Sequence, residues 1–363
     1  MRPEPGRPGR ARRTADREDV RRRQVAVAGG GLLALALVVG LLVALFGGDD
    51  APGGSSSPLP DPDGSPSAMV ALSVTGAPHA LLAVVGSGGT PDPAALVLPP
   101  GTTVEVPGQG EATVEDVQAL AGDSMRTAIS NALGAWAARF GVLDLAHLAG
   151  AIDRAGGLRV SIPDPVTVED GQVLGPGDTT LTGPQTSGYL AVGGDDATLR
   201  WMVVLEALVD QQILQASDFT ESDDAEGAIA ILAGADGAAA DLVPIQLVGG
   251  SLSIPAQPDL DLLMGELFAT SPPVPVIVQN GSGRPGVGEG VAARILPVGF
   301  RVVLSQNAES FKHDVTEITA TGDEHVDDAE AIRDALGVGT VQVTQVPSGL
   351  ADVAIVVGKD FEA

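Results

Sequence analysis

Three glycines, Gly281, Gly283 and Gly286, stand in the spacing G-x-G-x-x-G behind an apolar run, Val274 to Val278, and ahead of a helical pattern. A strand, a glycine turn and a helix in that order form the fingerprint of a dinucleotide site, in which the backbone approaches a pyrophosphate at a helix N-terminus. The chemistry also needs a crevice in the sheet and an acid about twenty residues further on for a ribose hydroxyl. Here the second strand, FRVVL, runs into Ser305, Gln306 and Asn307, so no acid stands at that place. Pro285 suits the first turn of a helix, and the glycines read as a tight strand-to-helix connection with small residues for close packing.

Other reactive side chains are dispersed. His79, His147, His313 and His325 form no i,i+4 pair and the chain has no cysteine, so no zinc site is expected. His147 reads as a surface residue of a helix and His325 as part of a solvated turn. The pairs Asp195-Asp196 and Asp223-Asp224 lack the spacing of a calcium loop and read as solvated loops. Neither a G-x-S-x-G elbow nor a Ser/His/Asp arrangement stands out. No cofactor, no metal and no catalytic set of residues is expected.

Charge is distributed unevenly over the 363 residues. Nine arginines lie within the first 23 positions, whereas the rest is strongly acidic and holds the only two lysines, Lys312 and Lys359. Phosphate backbones would be repelled by such a surface, which argues against nucleic acid as a partner. Residues 25–46, VAVAGGGLLALALVVGLLVALF, carry no charge and are long enough to cross a bilayer core, which takes about 20 helical residues. The arginines before them place the N-terminus in the cytoplasm and everything after Gly47 outside. A cleaved signal peptide is the competing reading. Its apolar region is shorter, about 7–15 residues, and precedes a small-x-small cleavage site, whereas this run ends in LFGGDD.

Positions 1–24 therefore read as a basic cytoplasmic tail that meets anionic lipid, 25–46 as a transmembrane helix and 47–68, dense in Gly, Ser, Pro and Asp, as a disordered linker. Beyond it, ALLAVV and AALVL look like strands. A helical period runs through Met125, Ile129 and Leu133 with Asp123 as its N-cap. Leu145, Leu148 and Ile152 share a second helical face that Gly156 and Gly157 stop, and LRVSI follows as a strand. A third helix is expected from about Thr198 to Leu214. Residues 216–227 read as an acidic exposed stretch, after which AIAILAG, LVPIQLV and SLSIPA are expected as short strands and DLDLLMGELF as a helix. Pro272 and Pro273 mark a boundary. In the terminal module, Val287, Val291 and Ile295 mark one helix and Ala329, Ile332 and Leu336 another, stopped by Gly337. VAIVV is apolar without alternation and should be a central strand covered on both faces.

Residues 274–361 resemble the C-terminal domain of LytR-type envelope proteins. The likeness rests on VIVQNG, centred on Asn280 and Gly281, on Gly299-Phe300, and on the closing Val356-Val357-Gly358-Lys359-Asp360. Residues 69–271 resemble a diverged LytR-CpsA-Psr domain. Asp153, Gly156, Gly157 and Val160 fit one family motif, and Leu174, Gly177, Leu181, Gly183, Gln185 and Tyr189 fit a second. The resemblance implies an α/β fold for both regions. It also implies, for active members, transfer of glycopolymers from a polyprenyl diphosphate carrier to peptidoglycan.

Such chemistry needs cations on the diphosphate and acids for a divalent metal. Where the family has Arg-Asp, this chain has Pro100 and Gly101. Ala191 and Gly193 replace a pair of arginines after the tyrosine, and of R-x-x-R-Q only Arg200 survives, with Val203 and Val204 beside it. The early acid falls at Ser87 or Gly88. Arg126 and Arg200 are thus the candidate ligand-binding residues, each with a surface ion pair as its plain alternative. The expected protein is mixed α/β, with a single N-terminal transmembrane helix, an α/β ectodomain and a small C-terminal α/β sandwich. Its expected role is a non-catalytic binding or scaffolding component of cell-envelope assembly. Membrane lipid is one expected partner, and a polyprenyl-phosphate carrier, peptidoglycan or assembly proteins are others. A glycopolymer phosphotransferase and an envelope sensor working through the basic tail are the alternatives.

Overall fold

The computed structural model describes residues 68–76, 81–87, 93–194, 196–248, 252–346 and 349–362. The expected transmembrane helix at 25–46 lies outside them, and among the described residues no helix is long and apolar enough to cross a membrane.

The N-terminal half is built on β1 (Ala68–Thr75), β2 (Leu81–Ser87) and β3 (Ala94–Leu98), joined as antiparallel neighbours. The hairpin β4 (Thr103–Val106) and β5 (Gly110–Thr113) follows, then helix α1 (Gly122–Leu133) and β6 (Arg139–Asp144), which pairs parallel to β1. Helix α2 (Leu145–Ala155) leads into β7 (Leu158–Ile162), which pairs with β8 (Gly177–Leu181). Helices α3 (Gly183–Ala191) and α4 (Ala197–Asp210), strand β9 (Glu221–Ser222), helix α5 (Ala225–Gly234), strand β10 (Ala239–Leu242) and helix α6 (Gln257–Phe268) follow, with short strands at Ile245–Val248 and Leu252–Pro255, as expected for LVPIQLV and SLSIPA, between β10 and α6. The large sheet has the order β9-β6-β1-β2-β3-β10.

Alternation along β1 divides the core. Val70, Leu72 and Val74 face one side, where α2, α3, α4 and α5 pack. Met69 and Ala71 face the other, against α1 and α6. With helices on both faces, the central strands are apolar throughout, as β3 shows with five consecutive buried residues.

The C-terminal strands are β11 (Val274–Asn280), β12 (Phe300–Asn307), β13 (Glu317–Thr321), β14 (Thr340–Thr344) and β15 (Val353–Val357), with α7 (Val287–Ile295) and α8 (Val326–Leu336) packed on them. Their order is β12-β11-β15-β13-β14, so VAIVV is the middle strand as expected, but it is not covered on both faces: Val353, Ile355 and Val357 are buried in the core under the two helices, while Ala354 and Val356 on the other face are only half-buried. β12 is an edge strand. It runs parallel to β11 with a bulge at Val303, since Val276 faces Val302 while Ile277 faces Leu304.

Three expectations about local structure need correction. AIAILAG is helix α5, not a strand. A seven-residue apolar run has no decisive period, and Asp224 caps it by accepting from the Gly227 N–H. Asp123 is not the N-cap of α1 but lies within its first turn; Ala121 holds the cap position, and the Gly122 N–H donates to Glu221 Oε1 at 2.8 Å. Finally, 216–227 is exposed only in part: Glu221, Asp223 and Glu226 are exposed, but three of its acids are paired. Asp218 is 4% exposed and holds Arg154 with two bonds of 2.9 and 2.6 Å, Asp223 holds Arg126 at 2.8 Å, and Asp224 holds Arg139 at 2.9 Å. Acids that look surplus in sequence are here the partners of three scarce arginines. The third long helix also ends earlier than its apolar pattern suggests, at Asp210.

Candidate functional site

The glycine turn is held by its own residues. The Asn280 carboxamide oxygen accepts from the N–H groups of Ser282 and Gly283 and from the Ser282 hydroxyl, while its nitrogen donates to the Arg284 carbonyl at 2.7 Å. Gly283 and Gly286 have φ of +74° and +77°, the left-handed region in which a side chain is strained. The arrangement brings the chain sharply from β11 into α7.

The hairpin β4–β5 lies against that helix start. A Cβ on Gly288 would come within 2.6 Å of the Gly108 Cα, and one on Gly108 within 2.9 Å of the Glu289 nitrogen. Neither position admits a side chain, because backbone meets backbone. The first turn of α7, where a dinucleotide phosphate would sit, is thus contacted by the hairpin tip at Gly288 and Glu289.

More bonds fasten the hairpin and α1 to the β12 edge. Asn131, 2% exposed, donates to the Val302 carbonyl at 2.9 Å and accepts from the Val302 N–H at 2.8 Å. A side-chain carboxamide so substitutes for a neighbouring strand. The Ser305 N–H donates to Glu105 Oε1 at 3.0 Å, and the Gly108 N–H donates to Ser305 Oγ at 2.8 Å. Ser124 adds a hydroxyl bond to Glu289, and Arg301, 7% exposed, pairs with Asp261 at 2.6 Å.

Burial pushes the Glu105 carboxyl up from 4.5 to about 7; the bond from the Ser305 N–H opposes this and repulsion from Glu111 adds to it. A carboxyl with a raised value binds its proton more tightly in the folded chain, so its contribution to stability is full below 4.5 and is lost as pH rises through about 7. We expect the denaturant midpoint to fall from pH 5 to pH 8 in the wild type, and this fall to be smaller in Glu105→Gln. Equal slopes in the two proteins would dismiss Glu105 as the source.

Between the hairpin tip, the glycine turn and the end of β12 opens a cleft of about 320 Å³. Its lining includes Gly108, Gln109, Asn280, Gly286, Ser305, Gln306 and Asn307, and contains no charged side chain. It sits at the carboxyl ends of two parallel strands, the usual place for a ligand in such sheets. The sequence had pointed to Gln306 and Asn307 only as the absence of an acid, and to Gln109 not at all. A polar Gln-Asn pair ending an apolar strand was the available signal.

The two sequence candidates are not brought together. Arg126 stands on α1 and Arg200 on α4, helices that pack on opposite faces of the large sheet. Arg126 pairs with Asp123 at 2.7 Å and Asp223 at 2.8 Å, and its guanidinium lies 4.8 Å from the Trp136 ring centre and 5.5 Å from that of Phe140. Arg200 is 7% exposed and donates to the carbonyls of Val192 and Gly193. Each cation is thus bonded within the chain. Beside α4 and α5, an apolar cavity of about 110 Å³ is lined by Leu208, Val209, Leu214, Ile229 and Leu232. Ligand pockets hold roughly 300–1,000 Å³.

His79 lies outside the described residues; the other histidines are near carboxylates, His313 at 4.0 Å from Glu317. His147 meets Asp144, the N-cap of α2, at 2.8 Å. His325 is no solvated turn residue: it is partly buried, 2.9 Å from Asp328 and 3.6 Å from Asp352. Among the described residues no three His, Asp or Glu side chains are grouped to hold a metal ion.

Among solved structures, the chain is similar to TagV of B. subtilis at 15% identity and a TM-score of 0.47, over 56% of this chain and 97% of that one. It is similar at 17% identity and a TM-score of 0.46 to a LytR-CPS2A-psr family protein, YwtF (TagT), with bound octaprenyl pyrophosphate lipid, over 56% of this chain and 90% of that one. A transcriptional regulator from Enterococcus faecalis gives 14% identity and a TM-score of 0.47, over 56% and 88%. No curated protein sequence matches the chain. Among protein families, the match is to LytR_C, the LytR cell envelope-related transcriptional attenuator, and it spans residues 273–361.

Proposed function

We propose that the chain is a membrane-anchored, extracytoplasmic and non-catalytic binding component of cell-envelope assembly. The uncharged run at 25–46 supplies the anchor and the nine arginines before it the orientation. The family match at 273–361 supports the envelope setting. One observation carries the non-catalytic part: Arg126 and Arg200 lie on opposite faces of the sheet, and both are bonded to groups of the chain itself. Transfer of a phosphoryl-linked polymer breaks the P–O–P bridge of the carrier and develops charge on the leaving polyprenyl phosphate, and cations must converge on it to lower the barrier. Two separated, internally bonded arginines do not form that cradle.

The test is direct. The full chain in detergent, incubated with a polyprenyl diphosphate-linked sugar, magnesium and a peptidoglycan acceptor, is expected to release no polyprenyl phosphate above the protein-free blank. Release that disappears in Arg200→Ala would overturn the proposal and restore the transferase.

A further inference from the structure

We propose that the cleft between the β4–β5 hairpin, the glycine turn and the end of β12 binds an uncharged, polyhydroxylated ligand, a hexose or N-acetylhexosamine unit of a glycan. Its size comes first. A volume of about 320 Å³ lies at the small end of ligand sites, which hold roughly 300–1,000 Å³ and so suit one or two sugar rings. Its chemistry is more telling. Gln109 comes from the hairpin tip, Gln306 and Asn307 from the last two positions of β12, and among the described residues none of these three carboxamides has a hydrogen-bond partner. A carboxamide carries donors and an acceptor side by side. Neighbouring sugar hydroxyls, each also donor and acceptor, match that pairing, and an acetamido group matches it in the same way.

Charge decides between a sugar and an anion. No Lys, Arg or His lines the cleft. Two carboxyl groups stand next to it: Glu105, which holds the Ser305 N–H, and Glu289, in the first turn of α7, which accepts from Ser124. The carboxylate of Glu289, and that of Glu105 once it ionises near pH 7, opposes a phosphate or carboxylate, and a neutral ligand is indifferent to it. The contrast with Asn280 is useful. Its carboxamide, in the same lining, is wholly taken up in holding the turn, so among the described residues three of the four carboxamides that line the cleft have no partner within the chain and the fourth does.

This inference deepens the binding reading above and is independent of whether the chain has transferase activity. Release of polyprenyl phosphate would overturn the non-catalytic reading and leave the sugar site standing; loss of sugar binding would do the reverse. The experiment is a calorimetric or NMR titration of the full chain in detergent with the β-1,4-linked tetramer of N-acetylglucosamine, with the monosaccharide, and with inorganic phosphate. The tetramer is expected to bind with a Kd of roughly millimolar or tighter, the range reached by a few neutral hydrogen bonds. The double variant Gln306→Ala/Asn307→Ala should weaken it by about tenfold or more, as loss of one or two such bonds predicts. Both side chains are exposed and without partners, so the variant should melt as the wild type does. Saturation by the monosaccharide alone would place a single ring in the cleft, as proposed. Absence of binding by either sugar, unchanged affinity in the double variant, or tighter binding of phosphate than of sugar would each overturn the proposal.

Discussion

Asn131→Ala is expected to destabilise the chain by about 2–5 kcal/mol, the cost of leaving two or three buried backbone groups without partners. The carboxamide donates to Val302 O and, at 3.2 Å, to Glu105 O, and it accepts from the Val302 N–H. Alanine would abandon them all in a place water does not reach. Asn131→Asp separates the contributions, since the carboxylate keeps an acceptor for the Val302 N–H but loses both donated bonds and buries a charge. Denaturant unfolding followed by far-UV circular dichroism and by tryptophan emission checks this. Trp136 packs between α1 and the C-terminal core, and its emission reports the junction once Trp201, buried in the other core, is replaced by phenylalanine in both proteins. We expect the emission transition to move to lower denaturant than the dichroism transition in the variant. A shift within about 0.5 kcal/mol, the range of an ordinary surface substitution, would mean that Asn131 does not hold the edge of β12.

Gly288→Val should have an effect of similar size through packing. In an isolated helix, replacing glycine with alanine gains about 1 kcal/mol and with valine somewhat less. Here the added Cβ would lie 2.6 Å from Gly108 Cα, 2.8 Å from Gly108 N and 2.7 Å from Ser305 Oγ. Two of those neighbours are backbone and cannot rotate away, so the hairpin must move off α7. Overpacking of this kind costs about 1–3 kcal/mol and occasionally more; with the extra branched carbons of valine we expect about 3 kcal/mol. Gly288→Ala serves as the sign test. A gain near 1 kcal/mol, as at a free helix position, would show that the two backbones do not touch. A loss fits the contact.

The sequence made much of this architecture legible because local signals agreed with the tertiary outcome. Leu145, Leu148 and Ile152 with the Gly156 stop give α2 as written, and Gly337 ends α8 in the left-handed region. The unbroken apolar run of VAIVV put it at the centre of its sheet. What sequence could not supply was pairing at long range. Asp218, Asp223 and Asp224 looked surplus because their arginines stand 64, 97 and 85 residues away. The scarcity of cations drew attention to Arg126 and Arg200, but scarcity does not say which face of a sheet a helix will choose. The cleft was hidden for the same reason: Gln109 and Gln306 meet only because a hairpin from one half folds onto the edge strand of the other.

That edge bears on how the molecule behaves among its own copies. A row of unpaired amides along the margin of a sheet is a template for adding strands, and a sheet open at both margins can propagate without limit. In the five-stranded sheet one margin, β12, has its outward Val302 groups and the Ser305 N–H taken up by Asn131 and Glu105. A strand added there would first have to displace those side chains, so among the described residues the two margins of this sheet are unequal as templates, and β12 is the protected one.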